Sequence, residues 1–304
     1  MSNRPPQPST SRPTRIWTTL DLIRWTKDFF ARKGIESARL EAELLLAGAL
    51  DCDRIKLYTD FEDAIPDSVL ATFREWVRRR GEDREPLAYI LGHAQFLELK
   101  LQVSPAVLIP RPETEELAIW GRSVVKEWAN RPEVRVLDVG TGSGCLALAL
   151  ASDAENVRAL ALDISSEALD LARQNAASLK LEDRVTFLES DVYSALQTNE
   201  QGRFDLIIAN PPYIDPELKD SLQPEVRAHE PEQALCADHK GLAVIERLVA
   251  EAGKWTEPGG KLGIEISPEM APEVCRRLTE TGDFEQVAVR QDARKMDRFV
   301  TASR

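Results

Sequence analysis

Apolar residues between positions 17 and 92 recur every three or four residues, which is the spacing of amphipathic helices. The predicted helices run from a Thr18-x-x-Asp21 capping box to Gly34, over 38–49 and over 66–80. Short polar turns join these segments, so the pattern predicts a small helical bundle. The bundle contains no group of side chains typical of catalysis, and we expect it to act as a docking or lid module.

Residues 96–103 alternate apolar and polar positions, which predicts a strand in a small hairpin or linker. The chain then enters a loop in which two prolines flank Arg111 and precede Glu113. Because proline fixes its own φ angle, this loop must be stiff. A further helix is predicted to begin near Glu113.

From residue 134 onward, strand-like apolar runs alternate with segments of helical spacing. The predicted strands cover 134–139, 159–162, 185–188, 204–209 and 261–266, with two more over 284–289 and 298–302. The predicted helices between them cover 146–151, 166–179 and 242–252. This alternation is typical of an α/β fold with a mostly parallel sheet and helices on both faces.

These patterns divide the chain into a tail over 1–16, a helical domain over 17–92, a β-hairpin linker over 93–110 and an α/β domain over 111–304. The tail is rich in Pro, Ser and Arg and contains no acid, as an organelle transit peptide would be. Three prolines within residues 5–8 exclude an amphipathic helix there. We therefore expect a disordered tail and a cytoplasmic protein.

Composition excludes several classes of protein. No apolar stretch approaches the roughly 20 residues of a membrane span, so no membrane partner is expected. The four cysteines are far apart and only three histidines occur, so no metal site is predicted. We expect a monomer.

The charge of the chain is concentrated in its later part. The first 100 residues contain 16 basic and 16 acidic side chains, so the remaining residues carry the whole net charge of −12. An acidic surface of this kind argues against direct binding to the phosphate backbone of a nucleic acid.

A glycine-rich turn, with Gly140, Thr141, Gly142 and Gly144, follows the first predicted strand of the α/β domain and opens a helix. Glycines there let the backbone turn tightly and approach a ligand closely. The spacing is G-x-G-x-G, which differs from the dinucleotide pattern because Cys145 stands where its third glycine would be. No Gly-Lys-Ser/Thr follows, so the turn is not a P-loop either.

Three acids end successive predicted strands. Asp138 precedes the glycines, Asp163 ends the second strand, and Asp191 follows the third. A carboxylate at Asp138 would repel phosphate and attract a cation. Asp163 is at the position where an acid binds both ribose hydroxyls of a nucleotide cofactor. Asp191 could accept a hydrogen bond from an adenine amino group. S-adenosylmethionine, which carries ammonium and sulfonium charges, meets these requirements.

Asn210, Pro211, Pro212 and Tyr213 follow the fourth of these strands. The Asn210 side chain offers an acceptor oxygen. Pro211 has no N–H group, so its carbonyl is an acceptor without a competing donor in the same residue. With an aromatic face next to them, these acceptors suit a planar –NH2 group. A plain strand-to-loop turn with two prolines is the alternative interpretation.

Together these motifs resemble class I S-adenosylmethionine-dependent methyltransferases that modify amide or exocyclic-amine nitrogen. More narrowly, the chain resembles the glutamine methyltransferases of peptide-chain release factors over roughly residues 17–302. The matching segments are 86–93, 108–115, 138–144 and 210–214, with Glu230-Pro231, Ala234-Leu235 and Gly241-Leu242. One departure lies at 265–270, where many members have Glu-Ile-Gly; we expect this segment to lie away from the site.

The resemblance implies a Rossmann-like catalytic sheet, S-adenosylmethionine as cofactor and the glutamine of a Gly-Gly-Gln motif in release factors as substrate. It implies that Asn210, Pro211 and Tyr213 act in catalysis, that Pro212 helps to hold the substrate, and that Asn210 also contacts the cofactor. Arg111 and Glu113 would lie over the site and bind substrate, or would form only a surface ion pair.

Two alternatives remain open at this point. An adenine-amine methyltransferase of DNA or RNA would use the same Asn-Pro-Pro-Tyr motif, although it would need a basic face for phosphates. A non-catalytic adaptor that binds S-adenosylmethionine and docks on a translation protein would give no methylated product.

Overall fold

The computed structural model describes residues 16–197 and 202–304, and the chain divides into two compact units between Leu91 and Gly92. All but the last residue of the predicted tail over 1–16 lies outside the described residues. None of the helices in the described part of the chain is both long enough and apolar enough to cross a membrane.

The N-terminal unit is built from helices. They are α1 (Thr19–Arg32), α2 (Ala38–Ala49), α3 (Lys56–Thr59), α4 (Asp67–Gly81) and α5 (Leu87–Leu91). The Thr18 hydroxyl accepts a hydrogen bond from Asp21 N at 3.2 Å, so the predicted cap is present. Phe30, Leu45 and Phe73 are buried in the core of this unit. The short helices α3 and α5 were not predicted, because a helix of about one turn is too short to show a helical spacing of apolar residues.

A hairpin opens the C-terminal unit, with β1 (His93–Phe96) antiparallel to β2 (Leu99–Gln102). The sequence predicted one strand over 96–103, but the run is broken by a turn at Leu97. Leu97 has a φ of 49°, in the left-handed region, and its N–H donates to Glu115 Oε1 at 2.7 Å. Alternation alone could not show this turn, since its stabilising partner lies 18 residues further along the chain.

The main sheet has seven strands in the order β5-β4-β3-β6-β7-β9-β8. The strands are β3 (Val134–Val139), β4 (Val157–Asp163), β5 (Val185–Glu189), β6 (Phe204–Ala209), β7 (Thr256–Glu265), β8 (Glu285–Gln291) and β9 (Asp297–Ser303). In this order, the five neighbouring strands from β5 to β7 run parallel to one another. Strand β9 is antiparallel to both β7 and β8. This is the mostly parallel sheet that the sequence predicted.

Helices cover both faces of this sheet. They are α6 (Pro112–Glu127), α7 (Cys145–Asp153), α8 (Ser166–Leu179), α9 (Pro224–His229), α10 (Glu232–Leu235), α11 (Ala243–Trp255) and α12 (Ala271–Thr281). Consecutive strand residues point to opposite faces, so Val136 packs in one apolar core with Leu146, and Leu137 packs in the other with Leu248. The fold is that of an α/β protein with two cores.

The strand order places three strand ends side by side. β6 lies between β3 and β7, with Val139 opposite Ala209 and Ala209 opposite Ile264. Because all three strands are parallel, the residues that follow them meet at one edge of the sheet. The glycine turn, the Asn-Pro-Pro-Tyr segment and Glu265 therefore lie together.

Candidate active site

Two cavities open at the carboxyl ends of these strands and share part of their walls. The first is lined by the glycine turn, by Asp163 and by Asp191. The second is lined by Arg111, by Tyr213 and by residues of α9 and α10. The residues common to both are Leu108, Asn210, Pro211 and Ala234.

The glycine turn takes the conformation that its sequence predicts. Gly140, Gly142 and Gly144 have φ angles of 77°, 54° and 85°, which residues with a Cβ adopt rarely. A Cβ on Gly142 would meet no protein atom within 4 Å, so the space above this residue belongs to the cavity that it lines. Gly144 is the N-cap of α7.

Asp138 lies beneath this turn and is fully buried. Its Oδ2 accepts hydrogen bonds from Thr141 Oγ1 at 2.6 Å and from Ala147 N at 3.1 Å. Burial raises the pKa of Asp138 to about 7. Its Oδ1 has no partner among the described residues, and Asp138 is not one of the residues that line the first cavity. The carboxylate therefore supports the turn from beneath, and its second oxygen is enclosed there.

Asp163 lines the cavity at the end of β4. Its Oδ2 accepts from Gly142 N at 2.8 Å and its Oδ1 accepts from Ser165 N at 3.0 Å. Burial raises the pKa of this carboxyl group above its ordinary value, against the effect of these hydrogen bonds. Each oxygen keeps a lone pair for a further donor, as a ligand hydroxyl group would require.

Asp191 also lines the first cavity, but it has a partner that the sequence did not suggest. Arg247 on α11 reaches both of its carboxylate oxygens at 2.9 Å. The next residue, Val192, has a φ of 54°, which is unusual for a β-branched side chain. The backbone at this wall of the cavity is therefore strained, and strain of this kind is concentrated at ligand sites.

The Asn210 side chain is fixed by one hydrogen bond. Its Nδ2 donates to the buried Thr114 Oγ1 at 3.0 Å, which leaves Oδ1 as the free end of the amide. Tyr213 lines the second cavity, and its hydroxyl donates to Glu265 Oε1 at 3.1 Å. Burial raises the pKa of Tyr213 well above its ordinary value, so the phenol stays protonated.

Arg111 pairs with a residue other than the neighbour that its sequence position suggested. Its Nη2 donates to Glu230 Oε1 at 2.7 Å, and Glu230 Oε2 accepts from Ile109 N at 3.2 Å. The Glu230 side chain is only 1% exposed, so this is not a surface ion pair between Arg111 and Glu113. Glu113 is half-buried in the first turn of α6 and lines neither cavity.

Sequence reasoning missed several residues that build this site. Thr114, Ser143, Glu230, Arg247 and Glu265 all bear on it. The expectation that the segment beginning at Glu265 lies away from the site was wrong, because β7 is the neighbour of β6 and Glu265 touches Tyr213. Adjacency of the two strands was the missing signal, and a single sequence does not contain it.

The first cavity fits S-adenosylmethionine. It combines two acids at its rim with the apolar side chains of Ile164 and Val192. Buried oxygens without a hydrogen-bond partner among the described residues occur at Asp138 and at Ser143, which itself lines the cavity. A carboxylate-rich wall favours a cationic ligand over a phosphate. In the described residues no group of acids, histidines and cysteines could hold a metal ion.

Comparison with known proteins agrees with this geometry. A family model described as "PrmC N-terminal domain" matches residues 21–92, and one described as "Methyltransferase domain" matches residues 130–284. The release factor glutamine methyltransferase of Rhodopirellula baltica is 41% identical over 286 residues, which cover 94% of this chain and 96% of that protein. The chain belongs to the release factor glutamine methyltransferase family.

Other members of the family are nearly as similar. The enzyme of that name from Geobacter sulfurreducens is 39% identical over 287 residues, covering 94% of this chain and 96% of that protein. Among solved structures, the hMettl16 catalytic domain in complex with a MAT2A 3'UTR hairpin has a TM-score of 0.53 at 16% identity. That likeness covers 80% of this chain and 84% of the other, and it shows that the class I methyltransferase fold is shared.

Proposed function

We propose that this protein transfers a methyl group from S-adenosylmethionine to the side-chain amide nitrogen of the glutamine in the Gly-Gly-Gln motif of peptide-chain release factors. The observation that supports this most directly is the wall of Asn210 and Pro211 shared by the two cavities. A methyl donor in the first cavity and an amide in the second would meet at these residues.

When bound, the cofactor supplies a methyl group on a positively charged sulfur. Asp163 binds the ribose hydroxyls, Asp191 and Val192 bind the adenine, and the turn at Gly140, Gly142 and Gly144 admits the rest of the molecule. Asp138 and Thr141 hold this turn in place, and the carboxylate of Asp138 beneath the turn favours the cationic end of the ligand.

The substrate amide is held by acceptors because its two N–H groups are donors. Asn210 Oδ1 and the Pro211 carbonyl accept these two hydrogen bonds, and the ring of Tyr213 packs against the amide plane, next to Pro212. This arrangement aims the nitrogen at the methyl group and stabilises the positive charge that develops on nitrogen. The proton leaves only after the new C–N bond forms, when the nitrogen is acidic, so water can accept it.

Around this centre, the remaining residues of the proposed site have supporting roles. Arg111, held by Glu230, lines the second cavity and binds the substrate backbone. Glu113 stays a predicted substrate contact. The N-terminal unit recognises the release factor. Because release factors act in translation, we place the reaction in the cytoplasm. The enzyme acts as a monomer.

The amide clamp is tested by replacing Asn210 with alanine. We expect methyl transfer to an intact release factor to fall about 10²- to 10³-fold, since a lost oxygen acceptor leaves the reacting group unaligned. Affinity for S-adenosylmethionine, measured by calorimetry, should change little. Transfer by Asn210→Ala at the wild-type rate would show that the clamp is wrong.

A further inference from the structure

Glu265 is a buried acid at the end of β7, and it has no role in the proposed function. Its side chain is inaccessible to solvent, and it lines neither cavity. Its Oε1 accepts a hydrogen bond from Tyr213 at 3.1 Å, and its Oε2 has no partner among the described residues. A buried carboxylate is costly, so its presence directly below the Asn-Pro-Pro-Tyr segment calls for a reason.

Thr114 supports the other half of the clamp. Its buried hydroxyl oxygen accepts from Asn210 Nδ2 at 3.0 Å. The hydrogen bond at the Glu265 carboxylate comes from the Tyr213 hydroxyl. Thr114 thus sets the orientation of the Asn210 amide, and Glu265 sets the orientation of the Tyr213 ring.

The orientation of that amide decides whether the clamp can work. With Nδ2 bound to Thr114, Oδ1 is the end that is free to accept an N–H of the substrate. The reversed amide would present its own N–H groups to those of the substrate, and two donors repel each other.

We propose that Thr114 and Glu265 are positioning residues for methyl transfer: Thr114 keeps the Asn210 oxygen directed toward the substrate amide, and Glu265, through the tyrosine hydroxyl, keeps the Tyr213 ring aligned beside it. This inference rests on the proposed function, since it assigns the support of the same clamp.

The protonation of Glu265 gives the inference a pH dependence. Burial raises the pKa of Glu265 to about 7, against the opposing effects of Thr114 and Tyr213. The charged and titratable groups facing it are Arg298 on β9, Glu113 on α6, Tyr213 and the Cys145 thiol. Above this pH the carboxylate accepts the proton of the Tyr213 hydroxyl strongly; below it, the protonated acid is a weaker acceptor and holds the tyrosine ring less firmly. Transfer should therefore rise with pH through neutrality.

The test compares full-length variants on an intact release factor, with transfer rate and cofactor affinity measured separately. Thr114→Val keeps the shape of the side chain without the hydroxyl and should lower kcat about tenfold, whereas Thr114→Ser should restore most of this loss. Glu265→Gln should lower kcat by a similar factor and remove the rise of rate with pH. Affinity for S-adenosylmethionine should stay at the wild-type value in Glu265→Gln, because Glu265 lines neither cavity, and should change much less than kcat in the two Thr114 variants, since Thr114 lines the first cavity.

Thr256→Val is the matched control. Thr256 is a buried threonine on the same strand, at the end far from the site, and its hydroxyl donates to Ala252 O at the end of the preceding helix. We expect its substitution to lower stability but to leave kcat and the pH profile at their wild-type values. If Thr114→Val behaves like Thr256→Val, or if Glu265→Gln keeps both its rate and its pH profile, the inference is wrong. A wild-type enzyme that does not methylate the release factor would instead overturn the proposed function.

Discussion

At the scale of single residues, the site depends on pairs of side chains far apart in the sequence. Asn210 is oriented by Thr114, Arg111 is held by Glu230, and Asp191 is held by Arg247. In each pair the residue that faces a cavity was recognisable from its motif. The pairing with its partner was not, because the chain brings the two residues together only when the sheet is assembled.

Asp163 offers a test of the cofactor cavity at this scale. Asp163→Ala should weaken S-adenosylmethionine binding about 10- to 100-fold, since it removes hydrogen bonds to a charged acceptor. Calorimetry should detect this loss of affinity, and the transfer rate at saturating cofactor should be affected less.

A surface aspartate on the next helix provides the control for this variant. Asp170 on α8 is 71% exposed and pairs only with Arg173, so Asp170→Ala should bind the cofactor as the wild type does. Equal cofactor affinity in Asp163→Ala and Asp170→Ala would remove Asp163 from the proposed cofactor site.

At the scale of elements, the position of the Asn-Pro-Pro-Tyr segment is fixed from both sides. The end of β6 sets where the segment begins, and the loop at Gly241 limits where it can go. Gly241 has a φ of 85°, and a Cβ added there would lie 2.1 Å from the Tyr213 carbonyl oxygen. Glycine is required at this position because backbone packs directly against backbone.

Gly241→Ala should therefore move Tyr213 and lower both stability and methyl transfer. We expect a loss of about 1–3 kcal/mol from the overlap, in addition to the strain of alanine at positive φ. Gly259→Ala is a matched control, since Gly259 has a φ of 79° but no atom within 4 Å of its Cβ position. Unfolding in denaturant and transfer rates would be measured for both; equal losses in the two variants would show that the Tyr213 contact is unimportant.

Much of the fold could be predicted from the sequence at this scale, because the pattern that defines each strand or turn lies within the element itself. Strands such as 134–139 and 204–209 are continuous apolar runs, and the glycine turn has a spacing that few other structures use. Strand order is not local: nothing in residues 261–266 indicates that β7 lies beside β6. The role of Glu265 was missed for this reason, although its strand was predicted.

At the scale of the whole molecule, each unit has a hydrophobic core of its own, and both cavities are lined entirely by residues of the C-terminal unit. That unit also carries the whole net negative charge of the chain. The division suits a protein in which one unit performs the chemistry and the other selects a protein substrate.

The destination of the methyl group is the decisive test of the proposed function. The full-length enzyme would be incubated with S-adenosylmethionine, an intact release factor and a structured RNA in equal amounts, and both products analysed by mass spectrometry. We expect one methyl group on the amide of the Gly-Gly-Gln glutamine and an unmodified RNA. Methylated adenine in the RNA, or a release factor without a methyl group on that glutamine, would show that the proposed function is wrong.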